Sequence, residues 1–142
     1  MQQTKLIDVA QVLKGFPFRL TEQGKVPCLR PKDFDRTGKF LDQVELHIAV
    51  QDSARQYLLQ PGDILLQCKG PANRACAFPE KLKEAVAIDI FTVIRPEKVA
   101  PIDLINYFNS EKGQTALKSL RRDDDQWSVS RKDLESLMVT LG

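Results

Sequence analysis

Hydrophobic positions recur with a period of two through the middle of the chain and with a helical period after Pro96. Val44, Leu46, Ile48 and Val50 alternate with polar residues, which predicts a half-buried strand over 44–50 with His47 on its wetter face. Gln60-Pro61-Gly62-Asp63 combines a preset proline dihedral with a glycine that accepts positive φ, and so predicts a tight reversal. The run Ile64 to Lys69 then reads as a strand buried on both faces at its start, closed by a breaker-rich loop over 70–74. Residues 86–94 are apolar on both faces except at Asp89 and Thr92. They predict one continuous central strand ending at Arg95-Pro96.

Beyond that point Pro101 suits a first helical position, and Ile102, Ile105 and Phe108, broadened by Leu104 and Tyr107, predict a buried helical stripe. A second short helix is expected near Gln114 to Arg121, burying Leu117 and Leu120, with Gly113 as the break before it. Ser130 followed by Asp133 predicts the capped start of a third, burying Leu134, Leu137 and Met138. Residues 121–125 form a charged loop between these last two helices. The expected fold class is therefore α+β, a twisted and mainly antiparallel sheet followed by short C-terminal helices, in a single domain over 1–142.

Composition narrows the picture a little. With 42% apolar and 28% charged residues the chain has the make-up of an ordinary soluble domain. No apolar run reaches the roughly 20 residues of a membrane span, and the first five residues lack the apolar core of a secretory signal, so a cytoplasmic location is expected. Cys28, Cys68 and Cys76 match no metal or redox spacing and are expected to be buried free thiols. A net charge of +2 does not by itself announce a nucleic-acid partner. Its distribution says a little more: residues 14–39 carry seven bases (Lys14, Arg19, Lys25, Arg30, Lys32, Arg36, Lys39) against three acids (Glu22, Asp33, Asp35). This local excess fits a patch for phosphates, although on charge alone a solvated surface is the first expectation.

Catalytic patterns are wanting. The one histidine has no nucleophile signature around it, and the seven glycines form no phosphate loop. A polar-Pro-Pro-aromatic methyltransferase motif is not evident. Asp63 and Gln67-Cys68-Lys69 imitate a PD-(D/E)xK nuclease only loosely, with glutamine at the acid position and both parts on one strand, where two ligands do not converge on one metal ion. No enzyme, cofactor or metal site is expected.

The order of the punctuating segments is more informative. Lys5-Leu6-Ile7-Asp8-Val9-Ala10 leads to Gly15-Phe16-Pro17-Phe18-Arg19 and then to residues Val26 to Phe34; the distinctive run Tyr57 to Leu66 follows. Val93-Ile94-Arg95-Pro96 precedes a helix with residues Leu104 to Ser110, and the last helix, opened at Ser130, ends Leu137-Met138-Val139. This succession resembles a target recognition domain of type I restriction-modification specificity subunits, over nearly the whole chain.

The resemblance implies a DNA-binding module of a restriction system, serving phage defence. It would read half of a split double-stranded DNA site while an adenine-specific DNA methyltransferase subunit modifies it. A restriction subunit or a second recognition domain would complete the assembly, and no membrane is involved. Three groups of residues are expected at the DNA: Lys69, Asn73 and Arg74 in the loop after the 64–69 strand; Arg30, Lys32, Arg36 and Lys39 in the basic segment; and Arg121, Arg122 and Gln126 in the charged loop. Gly62 and Asp63 are expected to set their turn without touching bases. The family places a proline pair and a long helix after this point, and neither is present here. A module that keeps the fold but binds a methyltransferase or another protein without reading DNA is the alternative.

Overall fold

A computed structural model describes residues 2–17, 24–48, 52–70, 72–123 and 127–141. In chain order the elements are β1 (Gln2–Lys5), α1 (Leu6–Val9), β2 (Ala10–Lys14), β3 (Val26–Leu29), β4 (His47–Ile48), α2 (Asp52–Arg55), β5 (Ile64–Gln67), β6 (Ala75–Ala77), β7 (Val86–Ala87), β8 (Phe91–Pro96), α3 (Pro101–Asn109), α4 (Glu111–Leu120), α5 (Arg131–Glu135) and β9 (Met138–Leu141). The fold is α+β and its pairing mainly antiparallel, as expected from the sequence. A central sheet runs β2-β8-β5-β6, β1 pairs with β9, and a third sheet runs β4-β3-β7 with one parallel pair, β3 with β7.

The central sheet is covered on both sides, which explains the apolar runs that form it. Because successive side chains point to opposite faces, Ile64, Leu66 and Ile94 pack with Leu104, Phe108, Leu117 and Leu134 from the helices, while Leu65, Phe91 and Val93 pack with Leu29, Phe34, Cys76 and Phe78 on the other side. A smaller core of Phe16, Val26, Cys28, Ile48 and Val86 lies under the third sheet.

Several expectations are corrected by this arrangement. Residues 86–94 do not form one strand: the chain turns at Asp89-Ile90, so Val86–Ala87 joins the third sheet and Phe91–Pro96 the central one. The corner is shaped by close approach of the β2 end, where a Cβ on Gly15 would lie 2.5 Å from the Phe91 carbonyl oxygen and 2.7 Å from that of Ile88. The strand expected over 44–50 is paired only at His47–Ile48, with His47 exposed as expected; residues 49 and 50 lie outside the described residues. Ile102 is 57% exposed, and the buried face of α3 is Leu104, Tyr107 and Phe108.

The two helices break at Ser110, three residues before the glycine. The Ser110 N–H closes α3 on the Tyr107 carbonyl, and its hydroxyl oxygen accepts from the Gly113 N–H at 3.0 Å to open α4. Gly113 lies inside α4, where a Cβ would come 1.9 Å from the Tyr107 carbonyl oxygen. It is the contact point of the two helices. Ser130 caps α5 through the Asp133 N–H, as its spacing predicts. Leu137 is buried just past that helix, whereas Met138 begins β9 and is 45% exposed.

All three cysteines are free and buried. Burial pushes the Cys28 and Cys68 thiols up to about 11 and the Cys76 thiol up to about 12, from an ordinary 9.0. The folded state keeps the neutral thiol, so the stability linked to these groups is complete below pH 9 and declines as the pH rises from 9 towards 11 to 12. Two results are expected: no reaction with Ellman's reagent at pH 8 until denaturant is added, and a midpoint of urea unfolding that falls above pH 9. Rapid labelling of the native protein would contradict this burial.

Candidate nucleic-acid interface

Strand register gathers the basic segments at one end of the central sheet. Lys14 on β2 lies opposite Thr92 on β8, Gln67 on β5 opposite Phe91, and Leu66 opposite Ala75 on β6. The chain therefore leaves β2 and β5, and enters β6 and β8, at the same end. The third sheet delivers the basic segment there as well, since Leu29 pairs with Ala87 and Phe16 bridges to Ile88, next to the turn that starts β8.

The segment after β3 is folded tightly by its own short polar residues. The buried Asp33 carboxylate accepts from the Arg30 N–H at 2.8 Å and closes a 3-10 turn over Pro31–Asp33. Phe34 and Phe40 then bridge, and the Asp35 carboxylate accepts from the Thr37 N–H (2.8 Å), the Thr37 hydroxyl (2.7 Å) and the Lys39 N–H (2.9 Å). The Thr37 hydroxyl and then the Lys39 N–H hold the Asp35 carboxyl below its usual pKa. Gly38 supplies the turn at φ +88°, and a Cβ there would meet the Ala75 carbonyl oxygen at 2.3 Å. The result is a small hairpin lying against β6 with Arg36 and Thr37 exposed at its tip.

Arg74 locks that hairpin to the sheet. Its guanidinium donates to the carbonyl oxygens of Pro31, Phe34 and Asp35 and, at 3.4 Å, to Gln67 Oε1. Between the hairpin, the β5–β6 connection and the α3–α4 junction lies an open cleft of about 760 Å³, lined by Lys32, Arg36, Gln67, Arg74, Asn109 and Gln114 among others. Lys32 and Arg30 both reach Glu45, at 2.5 and 3.3 Å. Lys32 first, then Arg30, keeps the Glu45 carboxyl below its ordinary pKa. Such exposed pairs are weak and screened by salt, so Lys32 can exchange this partner for a phosphate.

The β5–β6 connection is held from inside. Asn73 is 1% exposed; its Nδ2 donates to the Gln67 carbonyl at 3.0 Å and its Oδ1 accepts from Arg121 Nε at 2.7 Å. Gln114 Nε2 donates to the Asn73 carbonyl at 3.0 Å, and Asn109 bonds both backbone groups of Ala75. Asn73 thus ties the third candidate group to the first. The Val129 N–H donates to the Cys68 carbonyl, and the Arg122 N–H closes the charged loop on the Ser128 carbonyl. Lys69 opens onto a second, smaller hollow of about 350 Å³ shared with Lys14, Asp89, Val129 and Arg131.

All nine of the sequence-derived residues that are described lie on segments tied into this end: Arg30, Lys32, Arg36, Lys39, Lys69, Asn73, Arg74, Arg121 and Arg122. Gln126 lies outside the described residues. The residues share neither one cavity nor one role in packing. Lys32, Arg36 and Arg74 line the larger cleft, Lys69 the smaller one, and Asn73 is enclosed between segments. Among the described residues, Lys14, Arg36, Lys39, Lys69, Arg122 and Arg131 make no ion pair within 4.0 Å. Lys14, counted in the basic excess over 14–39, is brought here by strand register. Arg131 arrives only through the Val129–Cys68 bond, so no local pattern marks it, and the same is true of Asn109 and Gln114.

The opposite end of the sheet is closed. Asp63, with a side chain 0% exposed, accepts from the Gln60 N–H at 2.7 Å and from Arg95 Nε and Nη2 at 2.9 Å each. Gly62 completes the turn at φ +90°.

No protein-family model matches the chain, and a comparison with curated proteins finds no similar one. Among solved structures it is similar to a chain from a type I R-M system, in a study of complex assembly and conformational transition, with 15% identity and a TM-score of 0.73 over 99% of its length. It is also similar to the HsdS subunit from Thermoanaerobacter tengcongensis, with 17% identity and a TM-score of 0.65 over 99% of its length. The chain spans 37% and 32% of those two chains, about a third of each. Its fold is that of one stretch of a type I R-M chain of the HsdS kind.

Proposed function

We propose that the chain is a sequence-specific recognition domain for double-stranded DNA, reading its site with the loops gathered at the open end of the central sheet. The observation that carries this reading is the convergence, at that one end, of three basic segments distant in sequence, two of which line an accessible cleft. Their side chains divide by environment. Arg36, exposed at the tip of a braced hairpin, suits bidentate contact with a guanine edge in the major groove. Lys14, Lys32, Lys39, Lys69, Arg122 and Arg131 suit phosphates, which fix register and supply salt-sensitive affinity. Arg74, Asn73 and Arg121 act from behind, holding the loops by hydrogen bonds that are already made within the protein.

The chain serves a modification assembly in this reading: recognition is its part, and methyl transfer to adenine belongs to a methyltransferase subunit beside it. A second recognition domain reads the other half of the site.

Incubation with a randomised duplex pool, followed by sequencing of the retained fraction at several salt concentrations, tests the proposal. Enrichment of a short motif is expected, with affinity falling steeply as salt rises. Arg36→Ala is expected to weaken binding to the enriched motif by about 1–3 kcal/mol and to relax preference at one position. Lys69→Ala is expected to weaken all duplexes alike and to reduce the salt slope by about 1. No enrichment at any salt, with a methyltransferase still co-purifying, would instead favour a protein-binding module.

A further inference from the structure

We propose that Trp127 is a wedge that inserts at a base step of the bound duplex and stacks on an exposed base; this rests on the DNA-reading function above and specifies one contact of it. Three observations point the same way.

The first is exposure. Trp127 is the chain's one tryptophan, and its large apolar side chain is 48% exposed. The second is backbone conformation. Trp127 sits at φ +47°, in the left-handed region that favours glycine and disfavours bulky side chains. A bulky side chain at such a position costs the fold conformational strain, and side chains held in this way cluster where a ligand is met.

The third observation is place. Trp127 lies just before Ser128, whose carbonyl closes on the Arg122 N–H, and two residues before Val129, whose N–H bonds the Cys68 carbonyl. The chain directly after it is thus pinned to the β5–β6 connection. Val129 shares a hollow with Lys14, Lys69, Arg131 and Asp89, three cations against one acid. Cations line that hollow, and the pairing matches the chemistry of a duplex: phosphates are drawn to them while a flat ring meets base faces. Proteins that insert apolar wedges in this way partly unstack a step and bend the duplex around it, and aromatic stacking on bases tolerates any base, because each has a π-face.

Because there is one tryptophan, intrinsic emission reports this contact alone. Titrating the full chain with a duplex it retains is expected to quench that emission and to shield it from iodide. Trp127→Ala is expected to weaken binding by about five- to a hundred-fold without changing the salt slope, since an indole neutralises no phosphate. Trp127→Phe is expected to recover most of the loss. Trp127→Gly should bind as weakly as the alanine variant while melting at the same temperature as the parent or higher, because glycine accepts the positive φ.

Loss of binding without loss of stability separates the wedge from a structural role. Retained duplex with unchanged emission, or an alanine variant binding like the parent, would overturn the wedge and leave DNA reading intact. A chain that retains no duplex at any salt would overturn both. A Trp127→Gly variant that melts well below the parent would assign the side chain to the fold and overturn the proposal.

Discussion

Replacing Arg74 with alanine is expected to remove about 2–4 kcal/mol of stability and, with it, selective retention of duplex DNA. The guanidinium satisfies three carbonyl oxygens, those of Pro31, Phe34 and Asp35, and bonds Gln67 Oε1. Hydrogen bonds from a charged donor contribute about 1.5–3 kcal/mol each, and they are not additive when they share one group. Arg74 is only partly buried, so water replaces some of what is lost, and the figure sits below a simple sum. The larger effect is on geometry. Without the clamp, the hairpin that carries Arg36 keeps its internal Asp35 bonds but loses its fixed position on β6. Arg74→Lys is expected to behave almost as badly, because a single ammonium cannot fork between three carbonyls. Urea unfolding, together with duplex retention at low salt, checks both halves. An alanine variant within about 0.5 kcal/mol of the parent that still selects its motif would refute the clamp.

The second large effect belongs to the other end of the sheet and should leave recognition alone. Asp63→Ala is expected to cost about 3–5 kcal/mol, because it strands the Arg95 guanidinium and opens the turn before β5. Asp63→Asn keeps an acceptor for the Gln60 N–H but not the charge that balances Arg95, and should fall between. Adding Arg95→Met to Asp63→Ala should restore part of the loss, since an unpaired charge is removed with its partner. The protein that remains folded should bind duplex as the parent does. A fall in affinity at conditions where Asp63→Ala is fully folded would show that the two ends are coupled.

What the sequence disclosed depended on how local each signal was. β5, the β8 end at Arg95-Pro96, α3 with its leading Pro101 and the Ser130 cap are written into adjacent residues, and all were legible. β1 and β9 were not, because Gln2 pairs with Leu141 and neither stretch alternates cleanly enough to stand without its partner. The turn at Asp89-Ile90 was hidden inside an apolar run, since a neighbouring backbone at Gly15, and not a glycine or proline of its own, shapes it. Ile102 was misplaced by counting in threes. An α-helix turns in 3.6 residues, and Leu104, Tyr107 and Phe108 hold the inner face.

The candidate site was legible as charge and not as function. Polar loop residues after β5 were visible, yet nothing nearby shows that Arg74 is spoken for by carbonyls some forty residues earlier, or that Asn73 is enclosed by Arg121 from far downstream. The signal that separates a reader from a brace is the partner, and the partner is distant.

The braced hairpin has one further implication. The bonds that fix it act on its flanks at residues 30–35 and 37–41, through the Arg74 clamp, the aspartate turns, the Phe34–Phe40 bridge and the glycine pressed on Ala75, while Arg36 projects past them. Stability is therefore nearly indifferent to what stands at position 36. One mount can carry different tips, and under the proposed function a lineage that keeps the mount would be free to change its target by single exchanges at that point.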